Sequence, residues 1–281
     1  MLMLVSLIWG AMVSGAGAAL LPAGNHVLSV RVANDTVVHV PEASVGRQGK
    51  VPVVLALHGL GENYPGNFQK EIQLDQVADR EGFVTVYPLG SKSWSVPLFG
   101  HTWNGGNCCF TEADDEDFLR HVITSLPKWV NVDPNRIYAL GFSSGGVMAH
   151  RLACNSPDLV AAVVSVDGPI EVKKACTHAK PVAHFHGRLD PVFPYSGAIF
   201  NGATQTIEAW VKTDGCDKSK KIEKEVTSTV KSTLYNSCAN GTEVQLVQIE
   251  FGGHAWPPKA MNPNEYMWSW LSRWNRTSTH T

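Results

Sequence analysis

The chain has 281 residues, 44% of them hydrophobic and 17% charged, with a formal net charge of −2. That balance supports a sizeable core and excludes a disordered chain, and the near-neutral charge excludes an electrostatic nucleic-acid binder. The length fits one large α/β domain.

Taken in chain order, the first segment reads as an export signal. MLMLVSLIWGAMVSG is apolar and uncharged, and Ala16-Gly17-Ala18 satisfies a small-x-small cleavage rule, so a cut after Ala18 is expected. A signal over residues 1–18 and one catalytic domain over 19–281 follow. The basic start of a typical signal is missing, and the competing reading is an uncleaved anchor or a buried first strand. The run is too short for a comfortable membrane span, and no later stretch reaches that length.

VLSVRV and DTVVHV, near 27–40, read as an alternating antiparallel pair at a sheet edge. VPVVLALHG (51–59) reads as a buried strand. FQKEIQLDQVADREG (68–82) reads as one helix with Ile72, Val77 and Ala78 on one side. FVTVYPLG (83–90) is a second strand. The acidic run EADDED (112–117) opens a helix, where acids complement the dipole and cap free N–H groups, so it is assigned no metal. RIYALGF, LVAAVVSVDG, PVAHFHG and TEVQLVQIEFGG are further strands, and GGVMAHRLAC a helix. NPNEYMWSWLSRW carries Trp270, Leu271 and Trp274 at helical spacing. Strands alternating with helices imply a mostly parallel central sheet covered on both faces.

The chemistry centres on Gly141-Phe142-Ser143-Ser144-Gly145, which follows a strand and precedes a helix. That is the context of a nucleophile elbow. The glycine register selects Ser143, because Ser144 would have Phe142 two residues before it. The backbone N–H of Ser144 then falls where an oxyanion donor belongs. A serine nucleophile needs a base, and the base an orienting acid, in the chain order Ser, Asp, His on this fold. Asp190 follows the PVAHFHG strand and His254 follows the last strand, both where ligands gather at strand carboxyl ends. Asp167, one strand earlier, is the rival acid. His184 and His186, alternating with Phe185, read as strand packing. His58 reads as structural, with Leu60 as second oxyanion donor, good to one residue either way.

LHGLGEN, HTWNGGNCCF, DDEDFLRHVI, NVDPNRIYALGFSSGG, RLAC, HFHGRLDPVFPY and GGHAWP occur in this order. In these motifs, from about Val51 to about Trp274, the chain resembles the polyhydroxybutyrate-depolymerase-like esterases, which overlap with feruloyl and acetylxylan esterases of carbohydrate esterase family one. The resemblance implies an extracellular α/β-hydrolase that cleaves carboxylic esters, with no metal or other cofactor. Its nucleophile, acid and base fall on Ser143, Asp190 and His254. The chain departs from the pattern at Phe142-Ser143-Ser144, where members often carry other residues around the nucleophile, and at Phe251, where a glycine is common.

The six cysteines fit a secreted disulfide framework. Cys216 and Cys238 bracket a polar, alternating excursion and are expected to pair, as the resemblance also implies. Cys108, Cys109, Cys154 and Cys176 would form two more bridges, one of the tandem pair reaching Cys154, since neighbours rarely pair with each other. Asn34, Asn240 and Asn275 open glycosylation sequons. Trp103 and Trp256 are aromatics placed to stack on a sugar or phenolic ring, with burial for area alone as the even alternative. The substrate is a small-molecule or polymer ester, and the enzyme is expected to act as a monomer. Feruloyl or acetyl esters of a polysaccharide lead. A polyester depolymerase and a catalytically dead binding protein are the alternatives.

Overall fold

The computed structural model describes residues 20–31, 34–46, 48–93 and 100–276. The expected signal at 1–18 lies outside them. In chain order the elements begin with β1 (Gly24–Arg31), β2 (Asn34–Val40) and β3 (Val51–Leu57), then α1 (Pro65–Ile72) and α2 (Asp75–Glu81). β4 (Val84–Pro88) and the short pair β5 (Ser91–Lys92) and β6 (His101–Thr102) precede α3 (Asp115–Ser125). β7 (Val132–Phe142), α4 (Ser144–Asn155), β8 (Ala162–Val166) and β9 (Val182–Gly187) build the centre. α5 (Ala203–Thr213), β10 (Ile222–Thr227), β11 (Val230–Tyr235), β12 (Val244–Ile249) and α6 (Pro263–Leu271) follow.

Among the described residues, ten strands form one sheet in the order β1-β2-β4-β3-β7-β8-β9-β12-β11-β10. The six from β4 to β12 run parallel, and an antiparallel pair extends each side. The period of two along a buried strand divides the core between the faces. In β3, Val53, Leu55 and Leu57 pack on the face that holds Phe118 of α3, Met148 and Leu152 of α4 and Trp210 of α5. Val54 and Ala56 pack on the opposite face, with Phe68, Val77, Met267, Trp270 and Leu271.

Several elements differ from expectation, among them α5 and the short β5–β6 pair, which the sequence patterns above do not mark. The β10–β11 hairpin, which its polar sequence does not announce, adds two strands at one edge. Ile222, Glu223, Lys224 and Glu225 of β10 are exposed, and charge along such an edge discourages pairing with another chain. The single helix expected over 68–82 is two helices, divided where Gln73 takes a left-handed conformation (φ 56°). At about 100° per residue, one straight helix would point Val77 away from Phe68. The break lets Phe68, Ile72, Leu74, Val77 and Ala78 all reach the same core.

Cys216–Cys238 forms as expected and ties the hairpin excursion at its base. The other pairings are corrected. Cys154 bonds Cys176, and Cys108 bonds its neighbour Cys109. The backbone explains the second: positive φ at Gly106 (96°), Cys109 (84°) and Phe110 (60°) folds the loop tightly enough to bring adjacent side chains together. Among the sequons, Asn240 is exposed, Asn275 is half-buried, and Asn34 opens β2 with its side chain outside the description.

Candidate active site

The carboxyl ends of β3, β7, β8, β9 and β12 converge on one edge of the sheet, and each contributes a residue. Ser143 follows β7 directly, at φ 54° and ψ −121°, a backbone conformation costly for a residue with a side chain. Its N–H donates to Val166 O at 2.8 Å, which ties the elbow to β8. The glycine register has a visible cause. A Cβ on Gly141 would overlap the carbonyl group of Gly145, and one on Gly145 would overlap the carbonyl oxygen of Leu57. The hairpin turn from strand into helix therefore closes only without side chains at both positions.

His254 Nε2 lies 2.8 Å from Ser143 Oγ, and His254 Nδ1 lies 2.8 Å from Asp190 Oδ2. Asp190 Oδ1 accepts the N–H groups of Val192 (2.7 Å) and Phe193 (3.0 Å). Burial opposes the charge on Asp190, yet the hydrogen bonds from His254, Phe193 and Val192 hold its carboxyl below the ordinary value. The His254 ring sits between Phe142 and Phe193, with centroid separations of 5.0 and 5.9 Å.

The rival acid also belongs to this site. Asp167 is fully buried at φ 50°, and its two carboxylate oxygens accept from Gly187 N–H (2.9 Å) and Ala255 N–H (3.0 Å). Burial first, and the nearby Asp190 charge as well, push its carboxyl up to about 7. Asp167 thus pins the backbone beside His254 to β9, while Asp190 holds the ring nitrogen. Ligand-type atoms of Asp167, Asp190 and His254 lie within 4.8 Å of one another, but the hydrogen bonds just described engage them.

Two expected aromatic contacts divide. Trp103 has no exposed surface, so it does not offer a ring to substrate. Its Nε1–H donates to His58 O (2.9 Å), and its ring packs between His58 and Phe118. His58 in turn accepts Gly90 N–H on Nε2 at 2.9 Å, and burial pushes its imidazole down to about 4. Both side chains brace the loop that bears Leu60. Trp256 keeps part of its surface open and stands edge-on to Phe68 and Phe142.

The acidic run does more than cap. Asp114 accepts Asp117 N–H as the N-cap of α3. Asp115, buried and with its carboxyl pushed up to about 6 by that burial, accepts Asn104 N–H (2.7 Å) and the Ser91 hydroxyl (2.7 Å). It therefore anchors the Trp103–Gly106 loop. Cys108, Cys109, Val147 and Phe193 pack as one cluster with Phe200 against it, so the Cys108–Cys109 bridge rests on the first turns of α4 and on the Asp190 loop.

The family described as "Putative esterase" matches residues 34–249, a stretch that includes Ser143 and Asp190 and ends five residues before His254. The chain belongs to this esterase family. It is 33% identical over 199 residues to feruloyl esterase B of Piromyces equi, covering 65% of this chain and 36% of that one. It is 26% identical over 232 residues to the bifunctional acetylxylan esterase/xylanase XynS20E of Neocallimastix patriciarum, covering 79% of this chain and 31% of that one. This esterase-family chain therefore spans about a third of the length of both relatives. Among solved structures it is similar to the acetyl xylan esterase from Aspergillus awamori, with a TM-score of 0.67 over 89% of this chain and 99% of the other at 14% identity. Likeness at that identity establishes the fold, which is the α/β-hydrolase fold. Among the described residues, no helix of this esterase domain is long and apolar enough to cross a membrane.

Proposed function

We propose that this chain is a secreted serine esterase that removes feruloyl or acetyl groups from polysaccharide through an acyl-enzyme. The observation that carries the reading is His254, poised with one ring nitrogen on Ser143 Oγ and the other on Asp190 Oδ2. His254 takes the Ser143 proton as Oγ attacks the ester carbonyl, then gives it to the departing alcohol. Water repeats the sequence on the acyl-enzyme and releases the acid. Asp190 keeps the proton on Nδ1, so that Nε2 is free to accept, and stabilises the imidazolium. The N–H groups of Ser144 and Leu60 receive the oxyanion. Ser144 opens α4, where the first N–H groups have no acceptor within the helix. Support for Leu60 comes from its neighbour: a Cβ on Gly59 would stand 3.4 Å from Ser143 Cβ, so this loop lies against the nucleophile.

The named activities of the Piromyces and Neocallimastix relatives support feruloyl and acetyl esters. A cleft of about 500 Å³ runs beside the Cys108–Cys109 bridge and is lined by Asn104, Asn107, Thr111, Glu112, Lys173 and Phe200; its polar and charged groups support a hydrophilic, sugar-bearing alcohol. Three disulfides among the described residues support export to an oxidising compartment, with residues 1–18 as the signal, 19–281 as one catalytic domain and exposed Asn240 as a glycan acceptor. A polyester depolymerase is the second reading. It is favoured by Leu189 (64% exposed) and Val192 (53%) flanking Asp190, and by Phe251 (77%) just before His254, which would meet an apolar polymer. Ferulate release from methyl ferulate, set against 3-hydroxybutyrate release from an amorphous polyester film, separates the two. Faster turnover of the film would overturn the polysaccharide-ester reading.

A further inference from the structure

Three histidines and a tryptophan form a continuous line through the face of the sheet covered by α4 and α5. Trp210 Nε1 lies 3.1 Å from His150 Nδ1, and His150 Nε2 lies 3.3 Å from His184 Nδ1. His184 Nε2 lies 2.9 Å from His186 Nδ1, and His186 Nε2 lies 2.8 Å from Phe193 O. All four side chains have no exposed surface. The elements involved are α5, α4 and β9, and the line ends on the turn that carries Asp190.

Its ends fix its direction. An indole nitrogen only donates and a carbonyl oxygen only accepts. Trp210 therefore requires Nδ1 of His150 to be bare, which puts its proton on Nε2. The same condition passes to His184 and then to His186. Each of the six ring nitrogens is used once, as buried polar atoms require. A proton added to any ring would set two N–H groups against each other. Burial likewise pushes His150 down to about 3 and lowers both His184 and His186.

The last N–H of the line has two neighbours that matter. It donates to Phe193 O, while Phe193 N–H donates to Asp190 Oδ1 at 3.0 Å. It also stands 3.5 Å from Asp190 Oδ2, the oxygen that faces His254. We propose that Trp210, His150, His184 and His186 are positioning residues: a one-directional hydrogen-bond line that holds the Asp190–Phe193 turn and aims Asp190 Oδ2 at His254. The proposal rests on Asp190 being the catalytic acid.

Long-range proton–nitrogen NMR of the full chain, labelled at the imidazole nitrogens, reads the tautomers directly at neutral pH. His150, His184 and His186 are expected as neutral rings protonated at Nε2. Any of them protonated at Nδ1, or found as an imidazolium, would overturn the line. Two variants test what it does. H186N removes the N–H that reaches Phe193 and is expected to lower kcat on p-nitrophenyl acetate by about 10- to 100-fold, with KM changed less than about twofold, the scale of a misplaced catalytic group. H186Q carries an amide N–H out to the lost position and is expected to recover most of that loss. An unchanged kcat in H186N, or equal losses in both variants, would contradict the positioning role. Should H186N not fold, H186Q and the tautomers of the unaltered chain still decide. Should the unaltered chain hydrolyse no ester, the triad reading fails, and the NMR result still judges the line by itself.

Discussion

Asp190→Asn is expected to lower kcat by about 10⁴ while leaving the protein folded and KM nearly unchanged. The reason lies in how an amide would be oriented. Two backbone N–H groups, from Val192 and Phe193, point at Oδ1. The amide oxygen would take that place, and its NH₂ would face His254 Nδ1. His254 would then carry its proton on Nε2, opposite Ser143, and could not accept another from Oγ. Asp167 gives the contrast. Its oxygens already serve Gly187 and Ala255, so Asp167→Asn would disturb the backbone next to His254 without reversing the tautomer. Steady-state kinetics on p-nitrophenyl acetate check both. A loss in Asp167→Asn as large as that in Asp190→Asn would exchange their roles.

Gly145→Ala is expected to destabilise the fold by about 3 kcal/mol or more, at the upper end of the cost of overpacking. The new methyl would overlap the carbonyl oxygen of Leu57 and press on that of His58. Both belong to the backbone at the end of β3, which is hydrogen-bonded to β7 in the middle of the sheet and cannot move aside cheaply. Gly253 is the control, with nothing within 4 Å of a Cβ placed there. Gly253→Ala is expected within about 0.5 kcal/mol of the parent, as for a substitution away from packed features. Urea denaturation of the three proteins reads the difference. Equal midpoints for Gly145→Ala and Gly253→Ala would mean that the elbow is looser than described.

The parallel strands and the elbow were legible because each signal is local. A buried strand is a short β-branched run, and the glycines around Ser143 answer a steric demand within five residues. Asp190 and His254 were legible because the fold places them just past strand ends in a set chain order. Other features depend on distant partners. Trp103 stands in a loop sequence that suits a stacking ring, and only the tertiary fold brings His58 and Phe118 against it. His184 and His186 alternate with Phe185 as packing residues do. Their meaning depends on His150, 34 residues from His184, and on Trp210, 60 residues from His150. The Cys108–Cys109 bridge reverses a sound general expectation, because the positive φ values at Gly106, Cys109 and Phe110 are invisible in residue names. The helix break at Gln73 follows from which core each face must reach, which periodicity over 68–82 blurs.

Covalent trapping tests the central claim most directly. The folded chain and its Ser143→Ala variant would be treated with a fluorophosphonate and mapped by peptide mass spectrometry. The expected result is a single adduct on Ser143 in the parent, none in the variant, and ester hydrolysis lost in both treated parent and variant. An adduct on another residue, or full hydrolysis by Ser143→Ala, would contradict a mechanism in which His254 activates Ser143.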